Sequence, residues 1–432
     1  MKEKFDCIVV GAGPGGTAAA YTLAKAGLNV IQLERGEYPG SKNVQGAVLY
    51  AHSLEKMIPD FRKDAPLERF VAEQRIWIVD GDSYVGTTHR ANSLNWQTAD
   101  RYTILRAQFD RWFSKKAQEA GVLLICETTV TDLIKENNRV IGVRTDREEG
   151  DLYADVVILA DGVNSLLARK AGFRRDILPH EVALGVKETV FIAQETLENR
   201  FGVVDNQGVA IEIVGTITQG MLGTAFLYTN KESVSIGMGC LLADLKKKNI
   251  PPFEFLESLK NHPAIKPLIS GGETKEYAAH LIPEGGYHGI PQIYGEGWMV
   301  VGDAAMFVNS IHREGSNLAM ETGMLAAQTV IEIKKRGGAF NKEQLSLYRD
   351  KLENSFVLKD LRKYRKFHSV FRTNTHFLTT YPQIVNSSFF SLLKVDGTDK
   401  KTKERETFKN ILKKRSLTGI FQDAIQLWRA TR

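Results

Sequence analysis

Residues 5–35 read FDCIVVGAGPGGTAAAYTLAKAGLNVIQLER, and this stretch decides the fold. Phe5 to Val10 is a short apolar run suited to a buried strand. Gly11, Ala12, Gly13, Pro14, Gly15 and Gly16 follow and supply G-x-G-x-x-G. Ala18 to Ala26 is rich in Ala and Leu and predicts a helix, with Gly27 at its end. Asn29 to Leu33 predicts a second strand, closed by Glu34. Strand, turn, helix and strand in this order suit a dinucleotide. Gly11 allows the tight turn, Gly13 lets backbone approach a pyrophosphate, and Gly16 lets helix and strand pack closely. The helix N-terminus offers the phosphates free N–H groups and the positive end of its dipole. Glu34 stands about 20 residues on, where an acid takes the ribose 2′-OH.

The totals set bounds. A chain of 432 residues predicts two or three domains and a sizeable core. With 43% hydrophobic and 25% charged residues it belongs with soluble globular proteins. The N-terminus, MKEKFDCIVV, runs straight into the first strand, so no signal peptide is expected. No apolar run approaches the ~18 residues of a membrane span. The net charge of +6 is mild and gives no reason to expect nucleic acid. Lys and Arg concentrate after Lys335, and such a tail suits an acidic partner, an anionic membrane surface or a solvated helical face. Cys7, Cys126 and Cys240 are far apart and form no CxxC. Cys7 and Cys126 read as core thiols, and three scattered cysteines cannot build a four-cysteine iron–sulfur site. This usage suits a reducing cytoplasm.

Beyond the second strand, GEYPGSKNVQGAVLY marks irregular backbone near a ligand, with Gly46 in the loop and Lys42 either a charge near the bound ring or a surface lysine. Residues 70–105 alternate like strands, and Arg106 to Ala120 is helical with Phe109, Trp112 and Phe113 on a core face. Residues 128–145 predict a hairpin around Asn137-Asn138. Tyr153 to Ala160 predicts a buried strand ending in Asp161-Gly162, which is either a second cofactor contact or a turn. Residues 180–290 are β-branched and Gly-rich and predict a mostly antiparallel sheet. Trp298 to Val301 restores a short strand before Gly302-Asp303, and a helix runs from about Ser316 to Lys335. Gly315 and Asn317 stand at its N-terminus, which can point at a bound ring. His312-Arg313-Glu314 either takes part in the chemistry or caps that helix. The last segment, SLTGIFQDAIQLWRATR, aligns Leu417, Ile420, Phe421, Ala424, Ile425 and Trp428 in one apolar stripe with basic flanks. It suits a membrane, a partner or the chain's own core.

GAGPGG, Glu34-Arg35, Asp161-Gly162 and Gly302-Asp303, in that order, resemble the FAD fold typified by p-hydroxybenzoate hydroxylase. SKNVQGAVLYAHSLE, YTILRAQFDRWF and SIHREGSNLAMETGMLAA closely resemble the FixC/EtfC proteins, relatives of electron-transfer-flavoprotein:quinone oxidoreductase. The resemblance implies FAD, held by Gly11, Gly13, Gly16, Glu34, Arg35, Arg106, Gly302 and Asp303, with Lys42, Gly46 and residues 312–317 near the ring. It implies electrons taken from the alpha and beta subunits of an electron-transfer flavoprotein and delivered to a membrane quinone, menaquinone or ubiquinone. Single-chain quinone oxidoreductases carry a C-terminal ferredoxin-like part with four cysteine ligands, which this chain lacks. The resemblance therefore implies a separate ferredoxin-like iron–sulfur subunit and a bifurcating complex on the inner face of the cell membrane.

The resulting expectation is an α/β protein: a Rossmann-like FAD-binding domain (1–70, 102–175, 290–340), an inserted antiparallel β-sheet substrate or quinone domain (71–101, 176–289) and a helical basic C-terminal region (341–432). No general acid or base is required for electron relay. The fold also hosts independent reductases and monooxygenases that use NAD(P)H on lipid or aromatic substrates, and a scaffold without turnover is a third possibility.

Overall fold

In the computed structural model, residues 4–42 and 47–432 are described. Gly46 lies outside them. The chain divides into two compact units: residues 1–68, 100–182 and 281–362, and residues 69–99, 183–280 and 363–432.

The first unit is built on a parallel sheet. Lys4–Val10 lies between Asp151–Leu159 and Val30–Leu33, and Leu123–Ile125 and Trp298–Val300 extend the two sides, all parallel. Such strands are buried on both faces, which explains their continuous apolar runs. Helices Pro14–Lys25 and Ser316–Lys335 cross closely, because Gly323 leaves room for the Gly15 backbone: a Cβ at Gly323 would sit 2.0 Å from the Gly15 carbonyl oxygen. The hairpin forms as expected from Val130–Glu136 and Arg139–Thr145, with Asn137 and Asn138 both at positive φ. Phe109 and Phe113 are fully buried, and Cys7 lies in the core. Cys126 does not: it is half-buried in the loop after Leu123–Ile125, where the sheet has already ended.

The second unit carries an eleven-residue strand, Glu273–Pro283, followed across the sheet by Val182–Phe191, Ser233–Leu241, Gly223–Thr229, Gln207–Gly215 and Leu67–Asp80, with Ser83–Arg90 beside the last. Val182–Phe191, Ser233–Leu241, Gly223–Thr229 and Gln207–Gly215 pair antiparallel in turn, as do the 67–80 and 83–90 strands, but Gln207–Gly215 runs parallel to the 67–80 strand. Alternation in sequence cannot reveal this, since both strand directions share the two-residue period.

The helical C-terminal region divides at residue 362. Helix Lys342–Asn354 joins the first unit, where Tyr348 donates to the Val300 carbonyl oxygen at 3.1 Å. Helices Thr380–Leu393, Lys400–Lys414 and Leu417–Ala430 join the second. The last of these is turned against its own pattern. Gly419, Asp423 and Ala430 are buried, while Leu417, Phe421 and Trp428 are 59%, 68% and 55% exposed. A polar anchor accounts for this. Asp423 accepts from Asn374 (2.6 Å), from Tyr381 (2.7 Å) and twice from Arg415 (2.8 Å each). Burial would raise the Asp423 carboxyl, but these bonds outweigh it and hold the group down at about 2.

Candidate functional site

The expected contacts from Gly11 to Asn317 all lie in the first unit, apart from Gly46, which is outside the described residues. Gly11 ends the first strand at φ +102, where a Cβ would sit 2.3 Å from the Ala160 carbonyl oxygen. Gly16 faces back on the same turn, its Cβ position 2.1 Å from the Gly11 carbonyl oxygen. Side chains are excluded at both by backbone. Gly13 differs: no atom lies within 4 Å of its Cβ position. That open space stands at the N-cap of helix Pro14–Lys25, with Pro14 at its first turn. The turn thus has a tight inner side and a free outer side, where a pyrophosphate can meet the helix N–H groups.

Glu34 ties the turn together. Its carboxylate accepts from the Ala12 N–H at 2.9 Å and the Gly36 N–H at 2.7 Å, one on each oxygen. Each oxygen keeps a further lone pair for a ribose hydroxyl. Arg35 and Lys42 are exposed.

The opposite wall comes from the other strand ends. Asp161 and Gly162 follow the strand 151–159. Asp161 Oδ2 accepts from the Leu167 N–H at 3.2 Å, while Oδ1 is buried without a protein partner. Burial raises this carboxyl to about 6, partly offset by the Leu167 bond, Arg174 and Arg35. Gly302 sits at φ +60 and donates its N–H to Thr322 at 3.0 Å, fixing the turn Gly302–Ala305 on helix Ser316–Lys335. Asp303 is raised to about 6 by burial, against the pull of Arg106. Arg106 in turn holds both oxygens of Asp110, at 3.0 and 2.9 Å.

Gly315 is the N-cap of helix Ser316–Lys335, and Asn317 is buried in its first turn with Oδ1 unpartnered. The loop before it is closed by two backbone bonds between Asn309 and Glu314, at 2.9 and 3.0 Å. The Tyr50 hydroxyl donates to the His312 carbonyl oxygen at 3.0 Å. Of the His312-Arg313-Glu314 cluster, Glu314 meets Asn317, Arg313 stands at φ +54 and His312 is exposed.

These residues fit FAD. A free turn at Gly13, an acid at Glu34, unpartnered buried oxygens on Asp161 and Asn317, and a desolvated Asp303 supply the donors and acceptors that a dinucleotide and its ring would satisfy. Gly11–Gly16 and Glu34 would hold the ADP half, Asp303 and Arg106 the middle, and Gly315 and Asn317 the ring edge. Bound FAD supplies reversible two-electron chemistry; the protein supplies position and electrostatics. Sequence reasoning missed Arg174, which donates to the Ala304 carbonyl oxygen at 3.1 Å and bears on Asp161. In the run FRRD it looks like any surface cation. It also missed Gly323, whose value lies in a helix crossing that sequence does not display.

Residues 6–177 match the family of FAD-dependent oxidoreductases, and residues 367–432 match the C-terminal domain of the ETF-QO/FixC family. Protein FixC of Azotobacter vinelandii is 57% identical over 430 residues, covering 100% of both chains. The chain belongs to the ETF-QO/FixC family. It is an FAD-dependent oxidoreductase. Another member of the ETF-QO/FixC family, Escherichia coli YdiS, described as a probable electron transfer flavoprotein-quinone oxidoreductase, is 39% identical over 98% of each chain. Among solved structures, a geranylgeranyl bacteriochlorophyll reductase-like protein from Thermoplasma acidophilum shares the fold of this ETF-QO/FixC chain. Its TM-score is 0.74, with 22% identity, over 96% of this chain and 98% of that one.

Proposed function

We propose that this chain takes electrons from an electron-transfer flavoprotein and passes them through its FAD to a membrane quinone. The observation that carries this reading is the last helix: the folded chain leaves Leu417, Phe421 and Trp428 uncovered. Lys413, Lys414, Arg429 and Arg432 flank that face and are exposed. Apolar side chains, a Trp and basic flanks suit the inner, anionic face of a cell membrane, where quinone is dissolved. Among the described residues no helix is long and apolar enough to cross a membrane.

The family name YdiS carries supports the electron donor and acceptor. The cysteines support a separate ferredoxin-like subunit: Cys7 and Cys240 are fully buried, and burial raises both thiols far from the thiolate form that iron would need. In such an assembly the bifurcating flavin lies on the partner, and the FAD of this chain serves the high-potential branch.

Anaerobic stopped-flow absorbance of the bound flavin tests the reading. Bleaching by reduced electron-transfer flavoprotein, with reoxidation by a quinone analogue, is expected. Fast direct bleaching by NADH or NADPH overturns it in favour of a self-sufficient reductase or monooxygenase.

A further inference from the structure

An acid that the cofactor cradle does not use stands beside it. The strand Glu273–Pro283 ends in Glu284-Gly285-Gly286. The turn is fixed at its root, because the Glu284 N–H donates to the Glu181 carbonyl oxygen at 2.7 Å. It is compact, because a Cβ at Gly285 would meet the Gly289 Cα at 3.0 Å. It rests on the cofactor segment, because a Cβ at Gly289 would touch the Met306 side chain at 3.8 Å. The Glu284 carboxyl is hydrogen-bonded to Ser310 and faces Arg313. Both belong to the loop that joins Gly302-Asp303 to Gly315 and Asn317, so Glu284 is bonded to the connection between two proposed cofactor contacts.

The same turn reaches solvent on its other side. His288 and Gly289 help line an open cavity with Phe173, Arg174, Arg175, Glu181, Ile290 and Pro291. The charges around it are accounted for. Glu181 is held as a carboxylate by Arg175, which pairs with both its oxygens, and Arg174 is engaged with Ala304. Glu284 therefore belongs to a turn whose residues 288 and 289 line the open cavity, while its own carboxyl meets the cofactor loop.

Electrons from a protein donor arrive without protons, while a quinone needs two electrons and two protons to become a quinol. We propose that Glu284 is a proton-carrying residue for this transfer, taking up a proton from the cavity side when the bound cofactor is reduced and releasing it when the acceptor is reduced. In the release step the Glu284 O–H bond breaks and an O–H bond forms on the quinone as it takes the two electrons, its second proton coming from solvent. The carboxylate stays ionised until the next reduction of the cofactor draws a proton onto it from the cavity side. This proposal rests on the electron-relay reading above. Its electrostatics agree with it. Burial raises the carboxyl to about 7, with Ser310 and Arg313 pulling it back, so negative charge added nearby draws a proton onto it at neutral pH.

The test is proton uptake on reduction. The FAD-loaded full chain is photoreduced anaerobically in weakly buffered solution with an indicator dye, from pH 5.5 to 8.5. Near pH 7 the parent protein is expected to take up as much as one more proton per two electrons than Glu284→Gln. Ser310→Ala removes a bond that favours the carboxylate, so its excess uptake is expected to centre at higher pH. Equal uptake in the parent and Glu284→Gln at every pH overturns the proposal. If Glu284→Gln does not retain FAD, an unmoved profile in Ser310→Ala overturns it instead. Photoreduction needs no natural donor, so this outcome is independent of whether nicotinamide or a flavoprotein proves to be the electron source.

Discussion

Arg415 grips both oxygens of Asp423 at 2.8 Å, and this pair, rather than an apolar seam, fixes the face that the last helix turns inward. Removing the carboxylate leaves Asn374, Tyr381 and Arg415 without their shared acceptor. Asp423→Ala is expected to cost roughly 2 kcal/mol and to expose the end of the chain to protease. Limited proteolysis at fixed time checks this, with an unchanged digestion pattern counting against the anchor.

The same pair has a pH signature. The Asp423 carboxyl is depressed in the fold to about 2, so its contribution is present above the ordinary carboxylate value of 3.8 and is lost as pH falls through about 2. Thermal melts of the parent between pH 4 and pH 2 should therefore lose more stability than melts of Asp423→Asn. Parallel curves would show that the pair contributes nothing.

The outer face is separable from the anchor. Phe421→Glu with Trp428→Glu is expected to keep FAD content and melting temperature while lowering binding to anionic vesicles by ~tenfold or more. Flotation on phosphatidylglycerol vesicles measures it. Truncation after Ser416 is a poorer experiment, because it also deletes Asp423 and frees Arg415. Undiminished flotation of the double variant would move the lipid contact elsewhere.

Gly13 and Gly16 belong to one motif but should fail differently. A methyl at Gly16 collides with the Gly11 carbonyl oxygen, so Gly16→Ala is expected to cost roughly 2–4 kcal/mol even without cofactor. A methyl at Gly13 meets only open space, so Gly13→Ala should change stability by ~1 kcal/mol or less while weakening FAD by ~100-fold. Melting of the apo chain and FAD titration separate the two. Equal apo stability would mean that the turn is looser than its geometry.

Asp303 is raised in the fold to about 6, so its contribution is present below 3.8 and is lost as pH rises through about 6. Asp303→Asn should stabilise the apo chain at pH 7, on the order of 2 kcal/mol, while lowering FAD affinity by ~tenfold. A variant destabilised at pH 7 would show that the carboxylate is already well paired without cofactor.

The first half of the cradle is legible in sequence because its physics is local. Gly11, Gly16 and Glu34 sit within one strand–turn–helix–strand unit, and the Gly11 carbonyl that closes off Gly16 lies inside it, although the Ala160 carbonyl that closes off Gly11 comes from a distant strand. The strand ends at Asp161 and Gly302 are legible as breaks in apolar runs. What sequence does not display is which distant groups meet. Arg174 on Ala304, Gly323 under Gly15, and Glu284 on Ser310 join residues far apart in the chain. The last helix shows the opposite limit. Its stripe of Leu417, Phe421 and Trp428 is plain in the sequence, but periodicity gives a direction only relative to the helix axis. The buried Asp423 decides which way the stripe turns.

That arrangement leaves the terminal helix with two sets of constraints that hardly overlap. Residues answering to folding lie on the Gly419, Asp423 and Ala430 side, and residues answering to the outside world lie opposite. Drift on the outer side is invisible to the fold. Descendants of this chain can change that outer face without first finding compensating changes in their cores, and an engineer can graft a tether there by the same route.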